Sequence, residues 1–175
     1  VLDEFKYEQD SMLATSGDVL PDMNFEPEVA VVMGRIAKNV SVENAMDYVL
    51  GFTCVNDVTL RDLQGIDPTW TRAKGFDTSC PLGPWIVMRD DLDWKDAKIS
   101  FTLNGEDVPM ASGTTANLIH GIPEQIAAIS SFSTLLPGDV IMTGTPNASG
   151  HLDPGDETIV HVEGIGDLRN VIVRA

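Results

Sequence analysis

The chain has 175 residues, of which 43% are hydrophobic, and its 27 acidic and 11 basic side chains give a net charge of −16. This length suits one domain over residues 1–175 with a core of its own, and the apolar runs are too short to cross a bilayer. Because the negative charge repels phosphate backbones, we expect neither nucleic-acid nor membrane partners. The first residues show no basic segment followed by an apolar stretch, which predicts no signal peptide and a cytoplasmic location.

The first third of the chain alternates strand and helix signals. Residues 1–16 are polar without a sustained period, which predicts an N-terminal arm or a short edge element. Residues 29–33 form an unbroken apolar run rich in β-branched side chains, which is typical of a strand buried on both faces. Apolar residues at helical spacing predict a short helix over 42–49, and strand character returns over 51–58. A helical turn is predicted over 59–64.

The remainder of the chain is rich in turn signals. Residues 65–84 contain three prolines and three glycines and predict a long irregular loop, of the kind that often carries function. A short strand is predicted over 85–88, a hairpin turn at Asn104 and the glycine after it, and a helix over 123–131. Three strand-like runs separated by glycine turns then predict an antiparallel sheet. The order predicts a mainly β (α+β) protein, a mixed β-roll or barrel with two or three short helices.

Two glutamates stand one residue apart in front of the apolar run. Residues two apart on a strand face the same side, so Glu26 and Glu28 are expected to project together and to repel each other. A hard divalent cation such as Mg²⁺, which binds carboxylate oxygens, would relieve that repulsion. The alternative is that Pro27 keeps the segment at a sheet edge, with both glutamates in water.

Asp57 lies at the end of the strand predicted over 51–58, just before the predicted helical turn. A carboxylate at the end of a strand can point into a cleft, where it would add a third oxygen ligand to the glutamate pair. The alternative is that Asp57 or Thr59 caps the helical turn and that Asp57 pairs with Arg61 four residues later. The two interpretations do not exclude each other.

Two further places offer groups that suit an acidic ligand. Lys74 lies beside a glycine in the long loop, where its ammonium would neutralise an acid substrate or simply stay in water. Thr143, Gly144 and Thr145 follow a predicted strand, and their backbone amides and hydroxyls would suit a carboxylate. An ordinary glycine turn explains that second stretch equally well.

The cysteines and histidines predict no further site. Cys54 and Cys80 lack the CxxC spacing of a zinc or redox motif and are expected to be reduced, structural thiols. His120, His151 and His161 are far apart in the chain and show no spacing typical of metal ligands.

Several stretches resemble the fumarylacetoacetate hydrolase family in the same order: FEPEVAVVMGR, AMDYVLGFTCVNDVTLRDLQ, WTRAKGFDTSCPLGPWIV, PGDVIMTGTP and VEGIGDLRNVI. The similarity extends from about residue 17 to residue 173. It implies a mixed β-roll, usually a homodimer, with Mg²⁺ or Mn²⁺ held by three carboxylates. The positions that match these metal ligands are Glu26, Glu28 and Asp57. The positions that match substrate contacts are Arg61, Gln64, Lys74 and Thr145, and Gly144 lies beside the last of them.

The resemblance also implies a chemistry. In the family a 2-oxo acid chelates the metal through its carboxylate and keto oxygens, and the metal, as a Lewis acid, stabilises the enolate that forms. Lys74 and Arg61 would add positive charge near the developing oxyanion and act as catalytic residues. The expected substrates are 2-oxo or 2-hydroxy-dienoic (di)carboxylic acids, including those derived from aromatic compounds. Hydrolysis of a C–C bond, decarboxylation and isomerisation all fit.

The chain departs from the family pattern in two places. Hydrolytic members share a stretch of the form N-Y-x-x-H-x-x-E that activates water, and residues 1–23 contain nothing like it. Either the N-terminal part of the pattern is missing, or the chemistry needs no such base. The stretch after the second threonine, NASG, also differs. A catalytically silent domain that binds metal or oxo acid, or serves as a partner subunit, is therefore an alternative, and an acidic β protein without metal is another.

Overall fold

Strands dominate the computed structural model, which describes residues 4–7, 22–146 and 149–174. The strands of this part of the chain are β1 (Glu4–Tyr7), β2 (Met23–Asn24), β3 (Pro27–Met33), β4 (Val49–Asn56), β5 (Thr59–Leu60), β6 (Leu82–Met88), β7 (Lys98–Leu103), β8 (Glu106–Asp107), β9 (Gly113–Thr114), β10 (Val140–Met142), β11 (Glu157–Val162) and β12 (Gly166–Arg174). The α-helices are α1 (Arg61–Ile66), α2 (Thr71–Lys74) and α3 (Ile122–Phe132). Short 3₁₀ helices lie at Val42–Tyr48, Arg89–Asp91, Pro109–Ala111 and Thr115–Asn117.

The strands form two main sheets and one small pair. Sheet I has the order β10-β3-β4-β6 and is antiparallel throughout. Sheet II has the order β1-β12-β11-β7-β8, with β9 also paired to β7, and β1 runs parallel to β12. Strands β2 and β5 form a two-stranded antiparallel pair. Among the described strands neither main sheet closes on itself, so each has two edges.

The core lies where β3 and β4 of sheet I meet β7, β11 and β12 of sheet II. Every residue of β3 is buried, as expected for an apolar strand between two partners in a sheet covered on its faces. The rings of Phe25 and Phe101 stack with their centroids 4.2 Å apart, and the Cys54 thiol donates to the Gly166 carbonyl oxygen over 3.4 Å. These contacts join the two sheets directly beside the start of β3.

The prediction of a mainly β protein with a few short helices is confirmed. The buried strand predicted over 29–33 is the central part of β3, and the helix predicted over 123–131 is contained in α3. The helix predicted over 42–49 is present as a 3₁₀ helix. Asn104 and Gly105 have φ angles of 54° and 81°, the left-handed pair that a tight two-residue hairpin turn requires.

Two local predictions are wrong. The stretch 65–84 is not irregular throughout, because it contains α2 and the first residues of β6. The three C-terminal strands do not share one sheet, since β10 pairs with β3 in sheet I while β11 and β12 pair in sheet II. Of the predicted arm over 1–16, the described residues 4–7 form β1 at an edge of sheet II, and the rest lies outside the described residues. None of the helices in the described ranges has the length and apolar character that crossing a membrane requires.

Candidate metal centre

The two strands that carry the acidic residues are antiparallel neighbours, which brings the start of one beside the end of the other. Pro27 of β3 is paired with Asn56 of β4, so Glu26 stands just before the pairing and Asp57 just after it. The backbone N–H of Asp57 donates to the Glu26 carbonyl oxygen over 2.9 Å. Glu28, two residues after Glu26, is the second residue of β3. Local strand pairing therefore gathers three carboxylates at one end of sheet I.

These carboxylates are buried and close together. Glu26, Glu28 and Asp57 are 8%, 3% and 5% exposed, and each offers an oxygen within 4.8 Å of the others. The Asp57 Oδ1 atom is buried and has no hydrogen-bond partner among the described residues. The interpretation with both glutamates in water at an edge is therefore wrong. A set of hard oxygen donors with an orphaned carboxylate oxygen fits a divalent cation such as Mg²⁺ or Mn²⁺.

Burial makes the negative charges of this cluster costly. It raises the pKa of Glu28 to about 7, and the neighbouring charges of Asp57 and Glu26 add to the rise. The Gly144 backbone N–H donates to Glu28 Oε2 over 2.7 Å and opposes that shift. Burial also raises the pKa of Asp57, against the opposing effect of the Lys74 ammonium. The carboxylates thus need nearby positive charge to stay ionised together.

Lys74, the last residue of α2, supplies that positive charge. Its Nζ donates to Glu26 Oε2 and to Thr59 Oγ1, over 3.0 Å in each case, and also contacts Asp57 Oδ2. Burial lowers the pKa of this lysine, but the hydrogen bonds and charges of Asp57 and Glu26 outweigh burial, so that its pKa is raised. Lys74 is therefore a protonated ammonium whose three N–H donors are all engaged.

Arg61, the first residue of α1, forms the other basic side of the centre. Its Nη2 forms an ion pair with Glu26 Oε1 and donates to Ser149 Oγ over 2.7 Å, and its Nη1 donates to Gln64 Oε1 over 2.7 Å. The expected pairing of Arg61 with Asp57 is wrong, because the α1 backbone places the guanidinium beside Glu26. The expected cap is wrong too, since α1 begins after Leu60 with no side-chain cap.

A cleft opens over these basic residues. Its volume is about 520 Å³, and it is lined by Glu26, Arg61, Gln64, Gly65, Trp70 and Lys74. Four of the residues predicted for the site therefore face one opening. Glu28 and Asp57 do not line this cleft. The cleft is wide enough for a small organic acid.

Residues 143–146, which follow the edge strand β10 of sheet I, cover the carboxylate cluster on the side of Glu28. The Thr143 hydroxyl donates to the Val29 carbonyl oxygen over 2.8 Å, and the Gly144 N–H is engaged by Glu28. The backbone amide of Gly144 therefore holds a carboxylate of the protein itself. Thr145 Oγ1 is buried without a hydrogen-bond partner in the described part of the chain, which leaves it available to a ligand. The altered residues Asn147 and Ala148 lie outside the described residues.

Three residues of the centre were missed by the sequence analysis. Asn56 Oδ1 accepts a hydrogen bond from the Glu26 backbone N–H over 2.8 Å. The Thr59 hydroxyl accepts a hydrogen bond from the Lys74 ammonium, and the Ser149 hydroxyl accepts one from Arg61. The signal for Asn56 is an amide at the end of an apolar strand, since a buried polar side chain there must have a partner. The other two have ordinary turn and loop contexts and give no such signal.

The open β-structure and the three convergent carboxylates define a protein with a site of the kind that holds divalent cations, flanked by a cleft that Arg61 and Lys74 line. The chain belongs to the fumarylacetoacetate hydrolase family, because residues 6–173 match the family profile described as fumarylacetoacetate (FAA) hydrolase C-terminal. The resemblance found in the sequence is thereby confirmed.

Several relatives carry enzyme names. The structure of 5-carboxymethyl-2-hydroxymuconate delta-isomerase from Mycobacterium smegmatis is 41% identical, with a TM-score of 0.87, and the match covers 98% of this chain and 63% of that protein. The 4-hydroxyphenylacetate degradation bifunctional isomerase/decarboxylase from Salmonella dublin is 42% identical over 153 residues, which cover 86% of this chain and 35% of that protein. The structure of fumarylpyruvate hydrolase from Pseudomonas aeruginosa in complex with Mn²⁺ and pyruvate is 26% identical, with a TM-score of 0.84, covering 98% and 71%. The chain spans between 57% and 62% of the length of three curated relatives that it matches at 45% to 47% identity.

Proposed function

We propose that this chain is the catalytic part of a divalent-metal-dependent enzyme acting on 2-oxo or 2-hydroxy-dienoic (di)carboxylic acids. The reaction would be hydrolysis of a C–C bond, decarboxylation or isomerisation, in the catabolism of aromatic-derived acids. The observation that carries the proposal is the convergence of three buried carboxylates with two cations at one cleft. The isomerase, decarboxylase and hydrolase names of the relatives support it. The single domain over 1–175, a homodimer and a cytoplasmic location stay predictions.

Glu26, Glu28 and Asp57 are the residues that would hold the ion, Mg²⁺ or Mn²⁺. When bound, such an ion supplies Lewis-acid polarisation of substrate oxygens. The protein contributes the fixed placement of the ligands, since Glu28 is held by the Gly144 amide and the Glu26 backbone by Asn56. Carboxylates positioned in this way need little rearrangement to bind a cation.

The basic residues would stabilise the acid substrate by different means. Lys74 acts through its charge, because its N–H donors are engaged by Asp57, Glu26 and Thr59. Its raised pKa makes it an electrostatic stabiliser of negative charge and a poor general base at neutral pH. Arg61 retains an Nη1 proton and its Nε proton without partners among the described residues, so it can donate directly to a carboxylate.

Gln64 and Thr145 would orient the substrate from two sides. Gln64 lines the cleft and accepts from Arg61, which leaves its amide NH₂ as a donor. Thr145 offers a hydroxyl that has no partner among the described residues. Gln64 lines the same cleft as Arg61 and Lys74, where a neutral donor would help to fix the direction in which an anionic substrate enters.

The proposal is tested by assaying oxaloacetate, acylpyruvates and 2-hydroxy-dienoic acids with the protein and Mg²⁺ or Mn²⁺. We expect turnover that EDTA removes and that added metal restores, because the proposed reaction requires a cation bound by the three carboxylates. Turnover that persists unchanged in EDTA would contradict the metal role. Metal-dependent oxalate binding without turnover of any acid would favour the catalytically silent alternative.

The Arg61→Lys variant should lose most of the activity while keeping its charge. Lysine cannot reproduce the forked contacts to Glu26, Gln64 and Ser149, so we expect kcat/KM to fall by roughly 100-fold. The measurement is steady-state kinetics at saturating metal. Arg72→Lys is the matched control, since Arg72 pairs with Asp67 at the surface and should leave kcat/KM unchanged. Equal activity of wild type and Arg61→Lys would contradict the role of the guanidinium fork.

A further inference from the structure

Residues 149–153 run antiparallel to residues 23–25, which lie directly before Glu26 in the chain. Two backbone hydrogen bonds of 3.1 Å and 2.8 Å join the two segments, one on each side of an isolated bridge between Asn24 and His151. The pairing brings a segment from the C-terminal part of the chain against the entrance to β3. The segment 149–153 is therefore a neighbour of the metal centre.

The imidazole of His151 lies between two carboxylates. Its Nδ1 is 3.1 Å from Asp22 Oδ1, and its Nε2 is 3.3 Å from Asp153 Oδ1. These are the charged groups that contact the ring in the described part of the chain. The hydrogen bond to Asp22 raises the pKa of His151, and the one to Asp153 adds to the rise, against the opposing effect of burial. A neutral imidazole has a single N–H, so the ring donates to both carboxylates only when it is protonated.

The same two parts of the chain hold Arg61. Its backbone N–H donates to the Asp22 carbonyl oxygen over 2.8 Å, at the first residue of α1. Its Nη2 donates to Ser149 Oγ over 2.7 Å, two residues before His151. The contacts form a closed ring: Arg61, Asp22, His151, Ser149 and again Arg61. If residues 149–153 moved away from Asp22, the guanidinium would lose its contact with Ser149.

We propose that His151 is a positioning residue for Arg61: the protonated imidazole holds the segment 149–153 against Asp22, which keeps Ser149 beside the guanidinium and fixes the direction in which Arg61 donates to an acid. This inference rests on the proposed function, because that function assigns Arg61 to the substrate. His151 does not line the cleft, and its ion-pair partners are not the three carboxylates of the metal centre. Its effect is therefore expected on the binding of an acid, with metal affinity unchanged.

The effect should depend on pH in one direction. Because the pKa of His151 is raised, the ring is charged below its ordinary value of 6.5 and loses its charge as the pH rises through the higher value in the folded protein. One ring nitrogen then faces a carboxylate oxygen as a second acceptor, and that contact is lost. The guanidinium is thus held best at slightly acidic pH.

The test measures the affinity for oxalate by calorimetry at saturating Mg²⁺, at about pH 6 and about pH 8.5. His151→Gln keeps a side chain that can hydrogen-bond to Asp22 but removes the charge. Because the ring is 47% exposed, we expect a modest effect: the wild type should bind oxalate about 3-fold more tightly than this variant at the lower pH, and equally at the higher pH. The comparison between variants cancels the pH dependence of oxalate and of the metal.

Ser149→Ala opens the same ring of contacts at another place. In a Ser149→Ala background, the change of His151 to glutamine should have no further effect on oxalate affinity, because the two residues act through one contact with Arg61. His161→Gln is the matched control, since His161 contacts Asp167 over 2.6 Å on the surface of sheet II. It should bind oxalate as the wild type does at both pH values.

Equal affinities of the wild type and His151→Gln at the lower pH would overturn the inference. A difference that stays the same at both pH values, or effects of the His151 and Ser149 changes that simply add, would overturn it as well. In each of these cases, oxalate binding by the wild type would still support the metal centre. Absence of Mg²⁺-dependent oxalate binding in the wild type would overturn the proposed metal site itself, and this inference with it.

Discussion

Replacing Asp57 by alanine should lower kcat by roughly 1000-fold, because it removes one of three convergent carboxylates and its contact with Lys74. The remaining pair, Glu26 and Glu28, offers a poorer set of oxygen ligands. We therefore also expect the affinity for Mn²⁺ to fall. Steady-state kinetics over a range of metal concentrations, together with calorimetric titration of Mn²⁺, would measure both effects.

Asp77→Ala is the control for this variant, since Asp77 is an exposed carboxylate in the stretch that follows Lys74. It removes the same charge from the chain without touching the centre, and should leave kcat and metal affinity unchanged. Full activity of Asp57→Ala at the metal concentration used for the wild type would show that Asp57 is not a required metal ligand.

The Lys74→Met variant should destabilise the metal-free protein by roughly 3 kcal/mol, because it leaves buried carboxylates without their ammonium partner. Lys74 contacts both Glu26 and Asp57, and its side chain is 20% exposed. Bound Mn²⁺ would neutralise the same carboxylates. The rise in Tm on adding Mn²⁺ should therefore be larger in the variant than in the wild type, although kcat falls by about 100-fold even at saturating metal.

Thermal unfolding with EDTA and with Mn²⁺ measures these shifts. The matched control is Lys98→Met, because Lys98 is largely exposed and pairs with Glu163 at the surface. We expect it to behave as the wild type under both conditions. A metal-free Lys74→Met protein as stable as the wild type would show that the carboxylates do not depend on this ammonium.

The sequence predicts the acidic side of the centre well, because strand periodicity is a local property. Glu26 and Glu28 are two residues apart at the start of β3, so their side chains project to the same side. The end of β4 brings Asp57 to them. Their burial could not be predicted in the same way. It depends on β10 pairing with β3 and on residues 143–146 covering the strand end, and these contacts join distant parts of the chain.

The hydrogen-bond and ion-pair partners of Lys74 and Arg61 could not be predicted from the sequence either. Lys74 lies at the end of a four-residue helix inside a stretch rich in proline and glycine, where no periodic pattern indicates a direction. The spacing of Asp57 and Arg61 indicated a pair, but the backbone of α1 directs the guanidinium to Glu26. Short helices are positioned by tertiary contacts more than by propensity, so their side-chain partners follow from the fold.

The pairing of β3 with β4 has a consequence for the order of folding. The candidate ligands stand on two strands joined by residues 34–48 alone, whereas the hydrogen bond from Gly144 to Glu28 spans 116 residues. Closing the short loop costs less entropy than joining the distant segment, so the carboxylates are expected to come together before the C-terminal strands dock. The acidic cluster thus forms as a local unit, and the later part of the chain encloses it.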